Sequence, residues 1–216
     1  MADWATISSL ATAGGTLVLA VATFSAVKSS NRSARVAERA LLAGLRPVLV
    51  PSREEDPPEH VSFGDRYKLT VPGHSAVLDV AEGNVYMAIA LRNGGSGPAV
   101  IHGWHTEVLE SEGVGGAHNA PPPPPIERFR RQQRDLYIPA GDCGFWQGAI
   151  RDQQDPALPT LVDAVASGRR VMIDLLYGDH EGGQRTIARF GVTHFGGESR
   201  RAEVLRYWNI DREDPR

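Results

Sequence analysis

The 216-residue sequence predicts a mainly β protein, an antiparallel β-sandwich with one short internal helix, preceded by an N-terminal transmembrane helix and a juxtamembrane helical extension. Three observations predict this class. Residues 7–27 carry no charge, at least seven later segments have the alternation of short strands between turn residues, and only one later segment has helical spacing. The predicted organisation is an anchor at 1–28, a juxtamembrane helix at 29–45 and a sandwich domain at 46–216.

The uncharged stretch has the length of a membrane span. Its 21 residues would form a helix about 31 Å long, which matches a hydrocarbon core of about 30 Å. A buried helix of a soluble protein is the alternative. A cleaved signal peptide is disfavoured because Asp3 precedes the stretch, whereas four basic residues follow it: Lys28, Arg32, Arg35 and Arg39.

The same basic residues predict the orientation. Positively charged flanks stay in the cytoplasm, so we expect a single-pass protein of the cell membrane with its N-terminus outside and its C-terminal domain cytoplasmic. The lipid bilayer is then one partner, and the exported orientation is the alternative. The helix is expected to continue and to end near Gly44, because Pro47 disfavours helical geometry before it. Ala11 and Gly15 have the spacing of packed membrane helices, which leaves a homo-oligomer open.

The first strong strand pattern of the body lies at residues 84–93, where apolar residues alternate as on a strand with one core-facing side: Val85, Met87, Ile89 and Leu91. Glycine-rich residues 94–98 predict a turn. Residues 99–109 are then expected to form a second strand, antiparallel to the first.

A hairpin is predicted near the C-terminus, with strands at 171–177 and 186–192 around a turn at 179–183. Shorter strands are expected at 47–51, 136–138 and 144–150, and the alternation at 200–210 favours a strand over a helix. The internal helix is predicted from apolar residues at helical spacing, with Asp155 as the N-cap, Pro156 in the first turn and Gly168 after the end: Leu158, Leu161, Val162 and Val165.

Two long loops account for the size of the domain. Residues 53–60 are acidic, and residues 111–126 contain five consecutive prolines. A proline run is extended and cannot join a central sheet, so this segment is expected to be a stiff solvated loop. A docking ligand for an aromatic groove is the alternative.

The strand and turn segments LRNGGSGPAV, LYIPAG and LLYGDHEGGQRTIARF resemble the strand succession of bacterial immunoglobulin-like sandwich domains. The anchor together with the body is similar to a group of single-pass membrane proteins of unknown function from high-GC Gram-positive, actinobacterial species. The motifs that carry this similarity are GFWQGAIRD, DLLYGDHEGGQRTI and YWN. The resemblance implies an immunoglobulin-like fold and a membrane location, and it implies no activity.

The densest group of ligand-type side chains is Asp179, His180 and Glu181, with Asp174 upstream. A metal-dependent sensor or an enzyme that uses this group is the alternative function. The simpler interpretation is a hairpin turn, in which Asp and Gly serve the backbone geometry.

His102 and His105 form a second candidate pair. Residues three apart in a regular strand face opposite sides, so they converge only if Gly103 forms a bulge. Asp152 and Asp155 lack the glycine and glutamate of a calcium loop.

Two further features have simple interpretations. Cys143 lies beside apolar Phe145 and Trp146 in a predicted strand, which is typical of a buried, unreactive thiol, and as the single cysteine it allows no internal disulfide. The basic run around Phe129 is interpreted as a solvated loop face rather than a nucleic-acid or lipid site, and it consists of four arginines: Arg128, Arg130, Arg131 and Arg134.

No motif of nucleotide binding or hydrolysis is present in the sequence. With 23% charged residues and a net charge of −3, the composition predicts a folded protein without a nucleic-acid partner. We therefore expect no catalytic residue, no cofactor and no metal ligand. The prediction is a non-enzymatic, membrane-tethered interaction or assembly module with a membrane or cytoplasmic protein partner.

Overall fold

The computed structural model describes residues 3–109, 121–194 and 200–211, and for residues 4–11, 43 and 135 it describes the backbone alone. The chain forms two compact units, residues 1–44 and 45–216.

The first unit is one continuous helix, α1, Trp4–Gly44, of 41 residues. It ends at Gly44, as the sequence predicted. The segment Thr12–Leu42 has a mean hydropathy of 1.2, and no part of its most apolar window is buried. By length and composition this helix is able to cross a membrane.

Two hydroxyl groups of this helix bond to carbonyls of the helix itself. Thr16 donates to the carbonyl of Thr12 at 2.9 Å, and Thr23 donates to the carbonyl of Leu19 at 2.8 Å. A hydroxyl that bonds its own helix needs no water, so these residues reduce the cost of an apolar environment.

The second unit is mainly β, and its described residues contain eleven strands and one α-helix. The strands are β1 Leu49–Pro51, β2 Glu59–Ser62, β3 Lys68–Val71, β4 Ser75–Ala81, β5 Asn84–Asn93, β6 Ala99–Val108, β7 Arg130–Ile138, β8 Cys143–Ile150, β9 Val171–Gly178, β10 Thr186–His194 and β11 Arg200–Asn209. The helix α2 is Ala157–Ser167, and a short 3₁₀ turn occupies Ile126–Arg128.

Nine of these strands form one antiparallel sheet that curls over itself like a sandwich. One layer consists of β8, β5 and β4, with β1 beside the end of β5, and the other runs β11–β10–β9–β6–β7. The layers are joined where β4 meets β11 through only two residue pairs, Ala76 with Arg200 and Ser75 with Arg201. The predicted antiparallel sandwich class is confirmed.

The main core lies between the two layers and is continuous with the buried face of α2. Trp104 of β6 and Trp146 of β8 meet edge to face there, with ring centroids 5.5 Å apart. Aromatic pairs of this kind contribute about 0.5–1.5 kcal/mol beyond their buried area.

Both faces of β5 are buried, so the expectation of a single core-facing side is wrong. A separate hairpin of β2 and β3 covers the outer face of this layer and packs on Tyr86, Ala88 and Ala90. Sequence analysis had assigned no strand to this hairpin or to β4.

The predicted pairing of β6 with β5 is also wrong, because β6 pairs with β7 and β9 in the other layer. The crossing is organised by Asn93, which is fully buried. Its Oδ1 accepts from the backbone N–H groups of Val48 and Gly95, and its Nδ2 donates to the carbonyls of Gly97 and Ile138. A buried amide with every bond satisfied holds one specific turn.

Several predicted elements are confirmed. The strands β9 and β10 form the expected hairpin, and β11 is a strand. The helix α2 ends at Gly168, which adopts a left-handed φ of 72°. The predicted start is one residue early, because the N-cap is Pro156 and the first helical residue is Ala157. The carboxylate of Asp155 accepts the N–H of Ala157 at 3.0 Å.

The outer face of the second layer contains a buried ion pair. Arg189 of β10 and Asp174 of β9 are 0% and 1% exposed, with bonds of 2.6 and 2.8 Å. Arg189 also donates to the carbonyl of Pro121 at 2.8 Å, and its guanidinium lies over the ring of Trp208. The proline run therefore contacts the sheet at Pro121 without joining it, and the rest of the predicted loop before residue 121 lies outside the described residues.

Gly148 of β8 offers a test of the tryptophan pair. A Cβ at this position would lie 2.6 Å from the Trp146 ring and 3.1 Å from the Trp104 ring. We expect Gly148→Ala to lower the free energy of unfolding by about 1–3 kcal/mol, measured by urea titration of tryptophan fluorescence in mild detergent. Gly64→Ala, whose Cβ meets nothing within 4 Å, is the control and should stay near the wild type. Equal values for the two variants would contradict this packing.

Candidate functional site

A cavity of the second unit lies between β7 and β8, and we call it the seam groove. Its volume is about 810 Å³, within the range of ligand sites in proteins. The groove is lined by the turn of the β2–β3 hairpin, by β7, by β8 and by one residue of β6: Ser62, Phe63, Gly64, Asp65, Trp104, Arg130, Arg131, Gln132, Gln133, Arg134, Gln147, Gly148, Ala149 and Arg151.

The groove exists because β7 leaves the register of its neighbour. Ile101 pairs with Leu136, and Gly103 pairs with Arg131, so the four residues 132–135 of β7 oppose the single residue His102 of β6. Such an excursion bends the strand and ends regular pairing. Within the described residues β7 and β8 form no ladder with each other, and both are edges of the curled sheet.

Arg130 forms one wall of the groove and is held from both sides. It donates to the carboxylate of Asp155 through two nitrogens, at 2.5 and 2.8 Å, and its guanidinium lies 5.4 Å from the Trp104 ring centroid. This bidentate pair lowers the pKa of Asp155 below its usual value. Since Asp155 also accepts the first N–H of α2, the helix start positions this arginine.

Arg151 forms the opposite wall in a similar way. Its Nε donates to Asp65 at 2.7 Å, and its guanidinium lies 5.5 Å from the ring centroid of Tyr86. The Tyr86 hydroxyl donates to the same carboxylate at 2.6 Å. These bonds hold the pKa of Asp65 well below its usual range and raise the pKa of Arg151.

Two other arginines add positive charge to the groove that no neighbouring carboxylate neutralises among the described residues. Arg131 and Arg134 are exposed, and neither forms an ion pair with any side chain that the structure describes. Four arginines and one aspartate line the groove. Even when Asp155 is counted against Arg130, a local positive charge remains in a chain whose net charge is −3. The site therefore favours an anionic ligand.

The groove also contains unused hydrogen-bond acceptors. Gln132 is 9% exposed, and its Nε2 donates to the carbonyl of Gln147 across the seam at 3.1 Å. The Oε1 atoms of Gln132 and Gln147 are buried without a hydrogen-bond partner among the described residues. A buried acceptor without a partner costs about 1–3 kcal/mol, so a ligand that donates to it is favoured.

The Asp179, His180 and Glu181 group forms a turn. The Asp179 carboxylate accepts from the backbone N–H groups of Glu181 and Gly183, at 3.0 and 2.8 Å, while His180 and Glu181 are exposed. Asp174 is bound to Arg189 on the strand before it. Among the described residues no group of three or more His, Cys, Asp or Glu side chains is arranged to hold a metal ion.

The two histidines of β6 lie beside different residues of β9. The bulge that the sequence allowed is present, with His102 as the extra residue. The Nε2 of His102 lies beside Gly178, so close that a Cβ at this position would be 3.1 Å from it. The Nδ1 of His105 lies 3.9 Å from the carboxylate of Asp174. Burial lowers the pKa of His105. The two imidazoles therefore have separate surroundings four residues apart along β9.

Cys143 is half-buried beside Asp56, and its pKa is raised by burial first and then by that carboxylate. A raised pKa favours the thiol form, which is less nucleophilic than the thiolate. The carboxylate of Asp152 accepts the backbone N–H of Gln154, and its main-chain carbonyl accepts the N–H of Asp155.

The arginine run was identified from the sequence, but its predicted loop setting is wrong: Arg128 is in the 3₁₀ turn, and the other three arginines are on β7. Sequence analysis missed Asp65, Trp104, Gln132 and Arg151 as groove residues. They are far apart in the chain, and no local spacing marks them.

No family model, curated protein or solved structure matches this chain.

The Asp155 and Arg130 pair predicts a pH effect. A carboxylate with a lowered pKa stabilises the fold above its unfolded pKa, about 3.9, and this contribution is lost as the pH falls through the folded value. We expect Asp155→Asn to lower the free energy of unfolding at pH 7 by about 1–2 kcal/mol, with a smaller difference from wild type below about pH 4. The measurement is urea unfolding at several pH values. The control is Asp152→Asn, and a loss that does not vary with pH would contradict the assignment.

Proposed function

We propose that this chain is a single-pass membrane protein whose β-rich unit lies in the cytoplasm and acts, without catalysis, as an interaction or assembly module. The observation that carries the proposal is α1, in which the apolar side chains between residues 12 and 27 are largely exposed, Leu17 and Phe24 at 67% and 72%. An exposed apolar face of this length is typical of a segment that contacts lipid.

Charge supports the cytoplasmic orientation. The basic residues that follow the apolar part of α1 all lie on the same continuous helix, before its end at Gly44. Basic residues next to a span favour the cytoplasmic side, where each adds about 1 kcal/mol of attraction to an anionic surface.

The seam groove supports the interaction role. Two of its arginines, Arg130 and Arg151, are held by carboxylates and aromatic rings, and the other two remain open to a partner. These are features of a binding site. A tether confines such a site to a layer near the membrane, where even weak binding gains from effective concentration.

We also propose membership in the group of single-pass actinobacterial membrane proteins, with an immunoglobulin-like arrangement of the sandwich. The GFWQGAIRD motif supports a shared role, because it forms β8 and provides Gln147, Gly148 and Arg151 of the groove.

Membrane attachment is testable by fractionation. We expect the full chain to stay with the membranes after an alkaline carbonate wash and to be released by detergent. A Leu17→Arg, Val21→Arg double variant should be lost from that fraction, since each arginine at the centre of a span costs about 2.5–3.5 kcal/mol. Val36→Arg, beyond the predicted span, is the matched control and should remain attached. A wild-type chain that is soluble without detergent would overturn the proposal.

Sidedness is testable by cysteine labelling in a Cys143→Ser background with an impermeant maleimide. His180→Cys is exposed and should be labelled only after the cells are permeabilised, whereas Asp3→Cys should be labelled in intact cells. The reverse pattern would establish the exported orientation instead.

A further inference from the structure

We propose that the seam groove binds an acidic peptide segment in an extended conformation, which adds a strand to the free edge of β8. This inference rests on the proposed interaction function and names the class of partner. It is carried by the strand edge, by the charges around it and by the unused acceptors beside it.

The edge of β8 that borders the groove has no ladder partner among the described strands. The carbonyl of Gln147 accepts from Gln132 across the seam, so the backbone groups of residue 147 point into the groove. N–H and C=O groups of one strand residue point to the same side and alternate along the strand. Because β8 pairs with β5 without a register shift, the backbone N–H and C=O groups of Phe145 and Ala149 point to the same side of the strand as those of Gln147.

The hydrogen bonds of the neighbouring strand β5 confirm that these backbone groups of β8 point away from β5. Gln147 pairs with Ala88 of β5, and the carbonyl of Ala90, two residues along, accepts from Ser52 on the far side of β5. The backbone groups of Ala88 and Gln147 therefore point away from each other. The backbone groups of 147 and 149 face the groove, and a new strand can pair with them once it replaces the Gln132 side chain at the Gln147 carbonyl. This is the arrangement used in peptide recognition by strand addition.

The charges select an acidic peptide. Arg131 and Arg134 have no ion pair among the described side chains, and Arg130 and Arg151 are already held in place on the two walls. Arginines that are positioned before binding lose less side-chain entropy when a carboxylate arrives.

The acceptors favour a peptide over a bare anion. The buried Oε1 atoms of Gln132 and Gln147 need donors, which backbone N–H groups supply and inorganic phosphate does not supply in the same number. The length also fits. The groove extends along β8 from Gln147 to Arg151, and at about 3.3 Å per residue five residues span about 16 Å.

The test uses the full chain in lipid nanodiscs and a fluorescein-labelled hexapeptide of alternating glutamate and valine. Fluorescence anisotropy should show saturable binding. The Arg131→Glu, Arg134→Glu double variant should weaken binding by about tenfold or more. The matched control is Arg53→Glu, Lys68→Glu, which makes the same charge change at exposed sites outside the groove and should bind within about twofold of wild type.

A second probe separates strand addition from simple charge attraction. The same hexapeptide with alternate backbone amides methylated keeps its charge but loses the N–H groups that a strand donates. We expect it to bind at least about tenfold more weakly. Circular dichroism of each variant establishes that the fold is intact.

Four outcomes would overturn the inference. The first is that the hexapeptide shows no saturable binding to the folded wild type, and the second is that the methylated hexapeptide binds as tightly as the unmodified one. The third is that inorganic phosphate or phosphatidylglycerol vesicles displace the labelled hexapeptide as well as unlabelled hexapeptide does. The fourth is that a second copy of the chain occupies the groove and excludes the hexapeptide. Carbonate extraction of the same variants is expected to be unchanged, so failure of the groove is distinguishable from failure of the membrane tether.

Discussion

The interrupted pairing of β7 is the constraint on which the rest of the second unit depends. Four residues of β7 oppose the single residue His102, so β7 cannot continue as a flat neighbour of β6 and cannot reach β8 as a ladder partner. The sheet therefore curls without closing, and its two edges face each other across an open seam. In place of a ladder, the Gln132 side chain bridges that seam by donating to the carbonyl of Gln147.

The charged residues around the seam are organised by structures on either side of it. Asp155 accepts the first N–H of α2 and both donors of Arg130, so the helix start and the groove wall share one carboxylate. On the other wall, Asp65 is held by Tyr86 and holds Arg151. Charges placed in this way need little reorganisation when a ligand binds, which suits recognition. The turn at Asp179, by contrast, uses its carboxylate for its own backbone.

Elements with strong alternation were predictable, including β5, the β9–β10 hairpin and β11, and so was α2 with its terminal Gly168. The hairpin of β2 and β3 was not, because its two four-residue strands contain too few apolar residues to make an alternation visible. For the same reason β7 was predicted only at its apolar end, at residues 136–138. The arginine run was visible in the sequence, but its position on a strand at the edge of the sheet was not.

The sequence by itself determined the elements whose cause is local: a long uncharged helix, the period of the strands, and the residues at which helices end. Only the tertiary structure decided which strands pair and which faces are covered. The strand β6 crosses to the second layer because buried Asn93 satisfies all its bonds there, and both faces of β5 are covered because a distant hairpin packs on it. The groove belongs to this second kind of information. Its residues come from four separate segments of the chain, and they meet only because one strand loses its register.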